Sequence, residues 1–255
     1  VSGGSDSVAL LLLAARRASR PGEAFEVAFV DHGLRDDVDR ERALVEELAR
    51  ASKFGFHHLA APREEAARVR DGAASIQSWA REMRYALLAE RARERRCDVL
   101  VTGHTRDDQA ETFLLRLLRG AGLDGLAAMR AERDLGGVRL VRPLLEMGRG
   151  ELRDYAREAG ADFARDPSNQ DPRFARSRVR GELIPLLEEL SPGVASRLAE
   201  LAGELAGVRD FLDETFFAAG FVRPLRLLDG AAADAEAFER APRGARARLV
   251  RALLA

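Results

Sequence analysis

The stretch "VSGGSDSVALLLLAARR", residues 1–17, joins a short polar loop directly to an apolar helical run. Two adjacent glycines, Gly3 and Gly4, stand among hydroxyl side chains and one carboxylate, Asp6. Glycine leaves the backbone N–H groups unhindered, and the first N–H groups of a helix have no partner within that helix. We therefore expect a helix whose N-terminus faces a binding site.

Strand and helix patterns alternate after this loop. A helix predicted from Ser7 to Ser19 and a Pro21-Gly22 break precede a β-type run, "FEVAFVDH", at 25–32. Such alternation predicts an α/β fold, a parallel sheet with helices on both faces built from right-handed crossovers. The other elements expected in this region are helices at 38–51, 75–96, 107–119 and 150–159, and strands at 54–61, 97–104 and 137–145.

Three polar segments are expected to meet at one rim of this sheet. Asp31-His32 and Gly103-His104 end two of the predicted strands, and the loop Ser2–Ser7 opens the first helix. In such sheets, ligands bind beyond the carboxyl ends of the strands. We therefore expect all three segments to border one ligand.

The composition excludes several classes of protein. With 255 residues, 46% of them hydrophobic, the chain can build a core, so a disordered chain is excluded. A single cysteine, Cys97, excludes an internal disulfide and a cysteine-built metal site. No apolar run reaches membrane-spanning length, and the net charge of −1 gives no overall attraction to polyanions. We expect a soluble cytoplasmic protein with no membrane partner.

The loop Ser2–Ser7, whose remaining members are Gly3, Gly4, Ser5 and Asp6, predicts an anion site such as one for phosphate. The alternative is an ordinary capped turn, because Ser and Asp before a helix are also good N-caps. The loop contains no lysine, so it does not match the phosphate loop of kinase-type enzymes, and it is not the dinucleotide pattern either.

A second motif, "GHTRDDQAET" at 103–112, places His104, Asp108 and Glu111 near the same strand end. Asp108 and Glu111 share one side of the predicted helix, opposite its apolar face. Carboxylates at this rim could hold Mg²⁺ on a nucleotide. The alternative for Asp107 is a helix cap, and that alternative stays open here.

Arginines form the third pattern. Arg173, Arg176 and Arg180 are predicted to follow one helical face with no acidic residue between them, which suits phosphate or RNA backbone, whereas Arg178 points elsewhere. Arg81, Arg84 and Tyr85 share another predicted face, with an ordinary solvated face as the open alternative.

Together these motifs resemble a known family. "SGGSDS" is similar to the PP-loop of the ATP pyrophosphatases. "VDHGLR", "ARxxRY", "GHTRDDQAET", "RGAGLDGLAAM", "RPLL" and "DPSNQDPRFAR" are similar, in order and spacing over about the first 190 residues, to the tRNA(Ile)-lysidine synthetases. One departure is Ser177, where the family usually has Asn.

The resemblance implies a reaction and its participants. With Mg²⁺ present, ATP would adenylate the C2 carbonyl oxygen of the wobble cytidine in the CAU anticodon of an isoleucine tRNA. Free L-lysine would then displace AMP to give lysidine, which changes decoding from AUG to AUA. Pyrophosphate leaves in this chemistry, so the loop requires no lysine.

The resemblance also implies residue roles. Asp6 and Asp108 would organise Mg²⁺ and the reacting phosphate, and Asp108 could assist deprotonation of the incoming lysine. His104 and one of Arg176 or Arg180 would stabilise charge at the α-phosphate, while Asp31 and His32 would lie near the adenosine. The residues expected to contact tRNA are Arg81, Arg84, Tyr85 and Arg173.

The predicted organisation is a PP-loop catalytic domain at 1–190, a helical linker at 191–220 and the beginning of a helical tRNA-binding domain at 221–255. A start at Val1 inside a functional loop and a C-terminus inside a helical pattern indicate a fragment that lacks its first strand. Rival hypotheses are a tRNA 2-thiolase of the same superfamily, which the single Cys97 disfavours, and a non-catalytic RNA-binding relative. A homodimer is left open.

Overall fold

The computed structural model describes most of the chain. The described residues are 1–18, 25–34, 38–71, 76–164, 171, 173–218, 225–227, 230–232, 235–240, 242 and 246. Three features named from the sequence lie outside them: the end of the first helix at Ser19, the Pro21-Gly22 break, and residues 166–170 and 172 of the motif "DPSNQDPRFAR".

Helices and strands alternate in the first part of the chain, as predicted. The elements are α1 (Ser5–Arg17), β1 (Glu26–Asp31), α2 (Asp39–Ala51), β2 (Gly55–Ala60), α3 (Arg63–Asp71), α4 (Ile76–Glu94), β3 (Val99–Val101), α5 (Arg106–Leu118), α6 (Leu123–Leu126), β4 (Glu132–Asp134), β5 (Arg139–Val141) and α7 (Arg149–Glu158).

The remainder is mainly helical. It consists of α8 (Ala175–Arg178), a π-helical turn (Val179–Leu183), α9 (Ile184–Leu190), α10 (Val194–Ala218), β6 (Leu225–Leu227), β7 (Gly230–Ala232) and α11 (Ala235–Arg240).

The sheet is hydrogen-bonded in two parts. Strand β1 pairs in parallel with β2, and β3 pairs in parallel with β5. Helix α4 packs against both β1 and β3, which joins the two parts. The predicted α/β fold with a parallel sheet and helices on both faces is confirmed.

Strand β4 is an exception to the parallel arrangement. It pairs antiparallel with β5, with Arg133 opposite Leu140. Only four residues separate Asp134 from Arg139, too few for the crossover that a parallel pair requires. The predicted strand at 137–145 is therefore the second arm of a hairpin whose charged first arm carried no β-type pattern.

The first core cluster fixes the helices that carry the glycine loop. Leu11 of α1 packs with Val27 and Phe29 of β1 and with Val45 and Ala49 of α2, all at most 5% exposed. Because alternate residues of a strand point to one face, Val27 and Phe29 present a continuous apolar surface to both helices. The start of α1 is thereby anchored at the carboxyl end of β1.

Helix α3 was not predicted from the sequence. Its segment contains six charged side chains among nine residues, which hides the helical period. Glu64 and Glu65 in the first turn interact favourably with the helix dipole, and Ala66 supplies a buried contact at 1% exposure.

Helix α10 lies within the segment predicted to be a helical linker at 191–220, and it packs against α5 and α6. Ala202 is buried against Phe113 and Ala128. The prediction that the chain from 221 is helical is wrong for 225–227 and 230–232, which form the antiparallel strands β6 and β7, and right for α11. The domain boundaries themselves stay a prediction. Among the described helices, none combines the length and apolar character needed to cross a membrane.

Candidate active site

The glycine loop is closed on itself at the N-terminus of α1. Gly3 has a φ of +85°, in the left-handed region that favours glycine. The Ser7 hydroxyl accepts from Ser2 N–H at 3.1 Å and donates to the Gly4 carbonyl at 2.9 Å. Gly4 is the N-cap and makes no side-chain cap hydrogen bond. The capped-turn alternative is therefore wrong for α1, and the anion site stays a prediction.

The loop helix approaches the end of β3 closely. A Cβ on Gly103 would lie 3.1 Å from the backbone oxygen of Asp6, so any larger residue would press on the backbone of α1. The Ser5 hydroxyl donates to Asp6 Oδ1 at 2.9 Å. As a result, the carboxylate of Asp6 lies next to the start of α5.

Helix α5 begins with a capping box. Thr105 is the N-cap: its N–H donates to Asp108 Oδ2 at 2.9 Å, and Asp108 N–H donates to its hydroxyl at 3.3 Å. The alternative that Asp107 caps this helix is wrong. Asp107 Oδ2 accepts the backbone N–H of Arg149 at 2.7 Å and so ties α5 to α7.

Glu111 is a fully buried carboxylate that holds three arginines. Its Oε1 accepts from Arg180 Nε at 2.6 Å and from Arg149 Nη1 at 3.1 Å. Its Oε2 accepts from Arg176 Nε at 2.8 Å and from Arg180 Nη2 at 2.9 Å. Since its side chain is 0% exposed, these guanidinium groups replace all of its water contacts.

Arg149 joins this cluster to the glycine loop. Its Nε donates to Asp6 Oδ2 at 3.2 Å, and its Nη2 donates to Asp108 Oδ1 at 3.1 Å. Arg176 Nη2 donates to the same Asp108 oxygen at 3.2 Å. We call the resulting group of three carboxylates and three guanidinium groups the charge-balanced centre; its members are Asp6, Asp108, Glu111, Arg149, Arg176 and Arg180.

Burial and ion pairing compete in this centre. Burial raises the pKa of Asp6, and Arg149 only partly opposes it. Burial also acts to raise the pKa of Asp108 and Glu111, but the arginines outweigh it and hold both below their ordinary values. Burial would lower the pKa of Arg149, yet Asp108 and Glu111 raise it. At neutral pH, Asp108 and Glu111 are therefore ionised and paired.

His104 lies beside this centre as a neutral imidazole. Burial lowers its pKa to about 4; Asp108 opposes the shift, and Arg142 and Arg81 reinforce it. Thr102 Oγ1 lies 3.0 Å from Nδ1. At neutral pH, His104 can act on a phosphate oxygen as a hydrogen-bond donor but not as a cation.

Asp31 and His32 lie at the carboxyl end of β1, as predicted. Asp31 Oδ1 accepts from Gly33 N–H at 2.8 Å. Arg84 Nη2 lies 3.1 Å from His32 Nε2, while the buried Nδ1 has no partner among the described residues. Burial lowers the pKa of His32 to about 4, so the ring is neutral and presents an unused polar atom at the rim.

The prediction of an uncompensated arginine stripe is wrong. Arg176 and Arg180 pair with Asp108 and Glu111 on α5, so acidic residues distant in sequence neutralise them. Arg173 precedes α8, is 85% exposed and pairs with Asp171 at 2.6 Å. Arg178 pairs with Glu182 at 3.2 Å and does point elsewhere.

Three residues of α4 are expected to contact tRNA. Tyr85 is buried, whereas Arg81 and Arg84 are not. Arg81 lies over the Tyr85 ring, 5.1 Å from its centroid, and Arg84 is exposed near His32. Tyr85 is 9% exposed and lies beneath Arg81. The tRNA contacts of Arg81, Arg84, Tyr85 and Arg173 stay predictions.

The carboxylates fit a nucleotide-bound Mg²⁺ better than a metal held by protein alone. No group of three or more His, Cys, Asp or Glu side chains in the described part of the chain is placed to hold a metal. Asp6 and Asp108 nevertheless converge on one cation, Arg149. Two carboxylates completed by phosphate oxygens and water are the usual Mg²⁺ environment in nucleotide sites.

Sequence reasoning missed Arg149 and gave Glu111 no role of its own. Arg149 occupies the first turn of α7, where the helix dipole disfavours a cation. That unfavourable position is the signal that could have identified it. Arg142, the first residue of the "RPLL" motif, was given no role of its own either; it is 4% exposed directly after β5.

Comparison with protein families matches residues 1–187 to the PP-loop domain. Among curated relatives, proteins named tRNA(Ile)-lysidine synthase are 43% identical in Pseudomonas syringae pv. tomato (84% of this chain, 46% of the relative) and 44% identical in Ruegeria pomeroyi (90% and 52%). One from a Bradyrhizobium species is 41% identical over 98% of this chain and 71% of the relative. The chain thus spans about half the length of the first two.

One solved structure shares the fold. The U34-tRNA thiolase NcsA from Methanococcus maripaludis, which carries a 4Fe-4S cluster, superposes with a TM-score of 0.69 over 81% of this chain and 71% of that one. Sequence identity is 17%, so this likeness concerns the fold alone.

Proposed function

The chain belongs to the PP-loop domain family and, within it, to the tRNA(Ile)-lysidine synthases, and from this membership we propose the activity of the site. The site uses ATP to adenylate the wobble cytidine of the isoleucine tRNA with a CAU anticodon and then joins free L-lysine to that base. The product, lysidine, reads AUA instead of AUG.

The proposed reaction has two steps. First, the C2 carbonyl oxygen of the cytidine bonds to the α-phosphorus of ATP, and pyrophosphate leaves. Second, the ε-amine of lysine bonds to C2, the C2–O bond breaks and AMP leaves with that oxygen. The amine loses a proton to a base in the second step.

One observation carries the proposal: the carboxylates of Asp6 and Asp108 meet at the guanidinium of Arg149, at 3.2 and 3.1 Å. Asp6 lies in the first turn of the glycine-loop helix and Asp108 in the first turn of α5. This convergence supports a site in which the loop binds the departing pyrophosphate beside carboxylates that face the reacting phosphate.

The residue roles follow from this placement. Backbone N–H groups of the loop, with Ser2 and Ser7, would bind pyrophosphate, and Asp31 and His32 would lie near the adenosine. Asp6 and Asp108 would hold Mg²⁺, which neutralises phosphate charge when bound. Arg176 and Arg180 would move from Glu111 to the α-phosphate, with His104 donating a hydrogen bond.

Asp108 is the proposed base for the lysine amine. The arginines lower its pKa, so it is a weak base while they contact it. If Arg149 and Arg176 shift toward phosphate oxygens, the carboxylate becomes more basic as the amine arrives. This movement of the two arginines from Asp108 to phosphate oxygens would thus couple nucleotide binding to the second step.

The 2-thiolase alternative is not favoured. The single cysteine, Cys97, lies at the amino end of β3. Burial raises the pKa of its thiol, Glu26 adds to the rise, and Arg95 opposes it. The charge-balanced centre lies at the opposite, carboxyl end of the strands. A thiol at that position cannot reach a base bound at the centre.

The test combines the protein with ATP, Mg²⁺, labelled lysine and tRNA carrying the CAU anticodon. We expect label in the tRNA, and none when the anticodon is changed. If ATP is hydrolysed only with other acceptors while the tRNA stays unlabelled, the proposal is wrong.

The homodimer and the cytoplasmic location stay predictions, which light scattering and cell fractionation would test.

A further inference from the structure

Four arginines lie near the charge-balanced centre, and three of them contact neutral groups instead of carboxylates. We call them the arginine patch: Arg81, Arg116, Arg133 and Arg142. Arg142 Nη1 donates to the Arg130 carbonyl at 2.6 Å, and its Nη2 lies 3.5 Å from the Tyr85 hydroxyl. Arg116 Nη1 donates to the carbonyls of Gly125 and Ala128 at 2.7 and 2.8 Å. Arg81 contacts the Tyr85 ring.

These arginines lie close enough to act on one another. Burial lowers the pKa of Arg81 and Tyr85 opposes the shift. The charge of Arg176 in the neighbouring centre adds to the lowering, followed by those of Arg142 and Arg133. Arg81 in turn lowers the pKa of Arg116, after the effect of burial. Arg81 is therefore at the middle of a group of like charges drawn from α4, α5 and the β4–β5 hairpin.

Within the described part of the chain, none of the four forms an ion pair with a carboxylate, whereas Arg139 on the same hairpin pairs with Glu132. Arg142 is 4% exposed, and its Nε is buried without a hydrogen-bond partner. Buried charges are normally paired, because desolvation without a counter-charge is costly. The arrangement therefore favours an anion from outside the chain.

The patch has a buried part and an accessible part. Arg142 lies buried beneath Tyr85, while Arg81 is half-buried and Arg133 is exposed. The charges of Arg142 and Arg81 also reach His104, which borders the charge-balanced centre. An anion bound to Arg81 and Arg133 would thus lie next to the reacting atoms, with Arg142 adding charge from below.

We propose that the arginine patch binds a backbone phosphate of the RNA beside the target base. This rests on the proposed function. The glycine loop at the start of α1 is the proposed site for the nucleotide phosphates, whereas the patch lies on other elements: α4, α5 and the β4–β5 hairpin with the residue that follows it. A phosphodiester that continues past the reacting base is the anion that this separate position fits.

The test compares Arg81→Met and Arg133→Met with Arg139→Met as a matched control. Arg139 is exposed on the same hairpin, but it pairs with Glu132 at 3.6 Å. Binding of the CAU-anticodon tRNA is measured over a series of KCl concentrations. We expect about tenfold weaker binding for Arg81→Met, a salt slope reduced by about one in either patch variant, and no change in the control.

ATP affinity in the same variants distinguishes the sources of phosphate. Loss of ATP binding with unchanged RNA binding would overturn the proposal and assign the patch to the nucleotide. Unchanged affinity and salt slope in both patch variants, with a wild type that binds and modifies the tRNA, would overturn the patch alone. A wild type that neither binds nor modifies the tRNA would overturn the proposed function together with it.

Discussion

The charge-balanced centre and the arginine patch lie side by side and use arginine in opposite ways. Arg149, Arg176 and Arg180 each contact at least two carboxylates, whereas Arg81 and Arg142 contact a ring, a hydroxyl and a carbonyl. The same side chain is therefore a structural counter-ion in one region and an unmatched charge in the other. Its role follows from the charges around it.

The difference has a physical basis in burial. A buried ion pair is costly to break because one partner then remains as an uncompensated charge. The centre is thus stable only while its three carboxylates and three arginines are matched or a ligand replaces one set. The patch lacks that match and gains from any anion that reaches it.

The largest effect is expected at Glu111. Glu111→Gln leaves Arg149, Arg176 and Arg180 facing a neutral amide, which should lower the free energy of unfolding by about 3–5 kcal/mol. Urea unfolding at neutral pH measures it. Glu182→Gln is the control, since Glu182 is 59% exposed, and should change stability by about 0.5 kcal/mol at most. A Glu111 variant as stable as this control would remove the distinction between the two regions.

The next effect concerns chemistry. Asp108→Asn keeps an acceptor for the Thr105 cap but removes the charge, so lysine incorporation should fall about a thousandfold or more. Circular dichroism would check that the variant is folded. Asp154→Asn, at a 67% exposed position on α7, should retain wild-type incorporation. Substantial turnover by the Asp108 variant would remove this residue from the catalytic set.

A comparison of Arg176 with Arg81 sharpens the contrast. Arg176→Met should reduce turnover about a hundredfold while leaving the salt slope of tRNA binding unchanged, because Asp108 and Glu111 already neutralise Arg176. Arg81→Met should change that slope. Equal slopes for the two variants would show that pairing within the protein does not decide which arginines meet RNA.

The smallest effect is in the pH dependence of stability. Burial lowers the pKa of His104 from 6.5 to about 4, so between these values the unfolded chain binds more protons than the folded one. Stability contributed by the neutral ring is complete above about pH 6.5 and is lost as the pH falls toward 4.

His104→Gln should therefore flatten the rise in unfolding free energy across that window. Urea unfolding at several pH values between 4 and 6.5 measures this rise. Part of the rise should remain, because His32 also titrates at about 4 when folded. An unchanged slope would mean that His104 is solvated in solution.

The fold was largely predictable because its signal is local. Apolar residues that recur at every second position marked the parallel strands, and those that recur at every third or fourth position marked the long helices. Elements α1, β1 and β2 lie close to the expected positions. Helix α3 and strand β4 escaped because their segments are mostly charged, so no apolar period marked them. Their formation depends on packing and pairing with neighbours.

The site was predictable only in part. The motifs singled out Asp6, His104 and Asp108, and the structure brings these three together, because residues beyond strand ends share a rim in this fold class. Arg149 is 143 positions from Asp6, and only the three-dimensional structure brings them together. The same distance in sequence hid the pairing of Arg176 with Glu111, which made the arginine stripe look uncompensated.

The most direct test of the account follows the two ends of ATP separately in the absence of lysine. With ATP labelled at the α-phosphate and, in parallel, at the γ-phosphate, we predict that the α label appears on the CAU-anticodon tRNA while the γ label leaves as pyrophosphate. Added lysine should then release the α label as AMP. Release of the γ label as inorganic phosphate, with no α label ever on the RNA, would contradict the account.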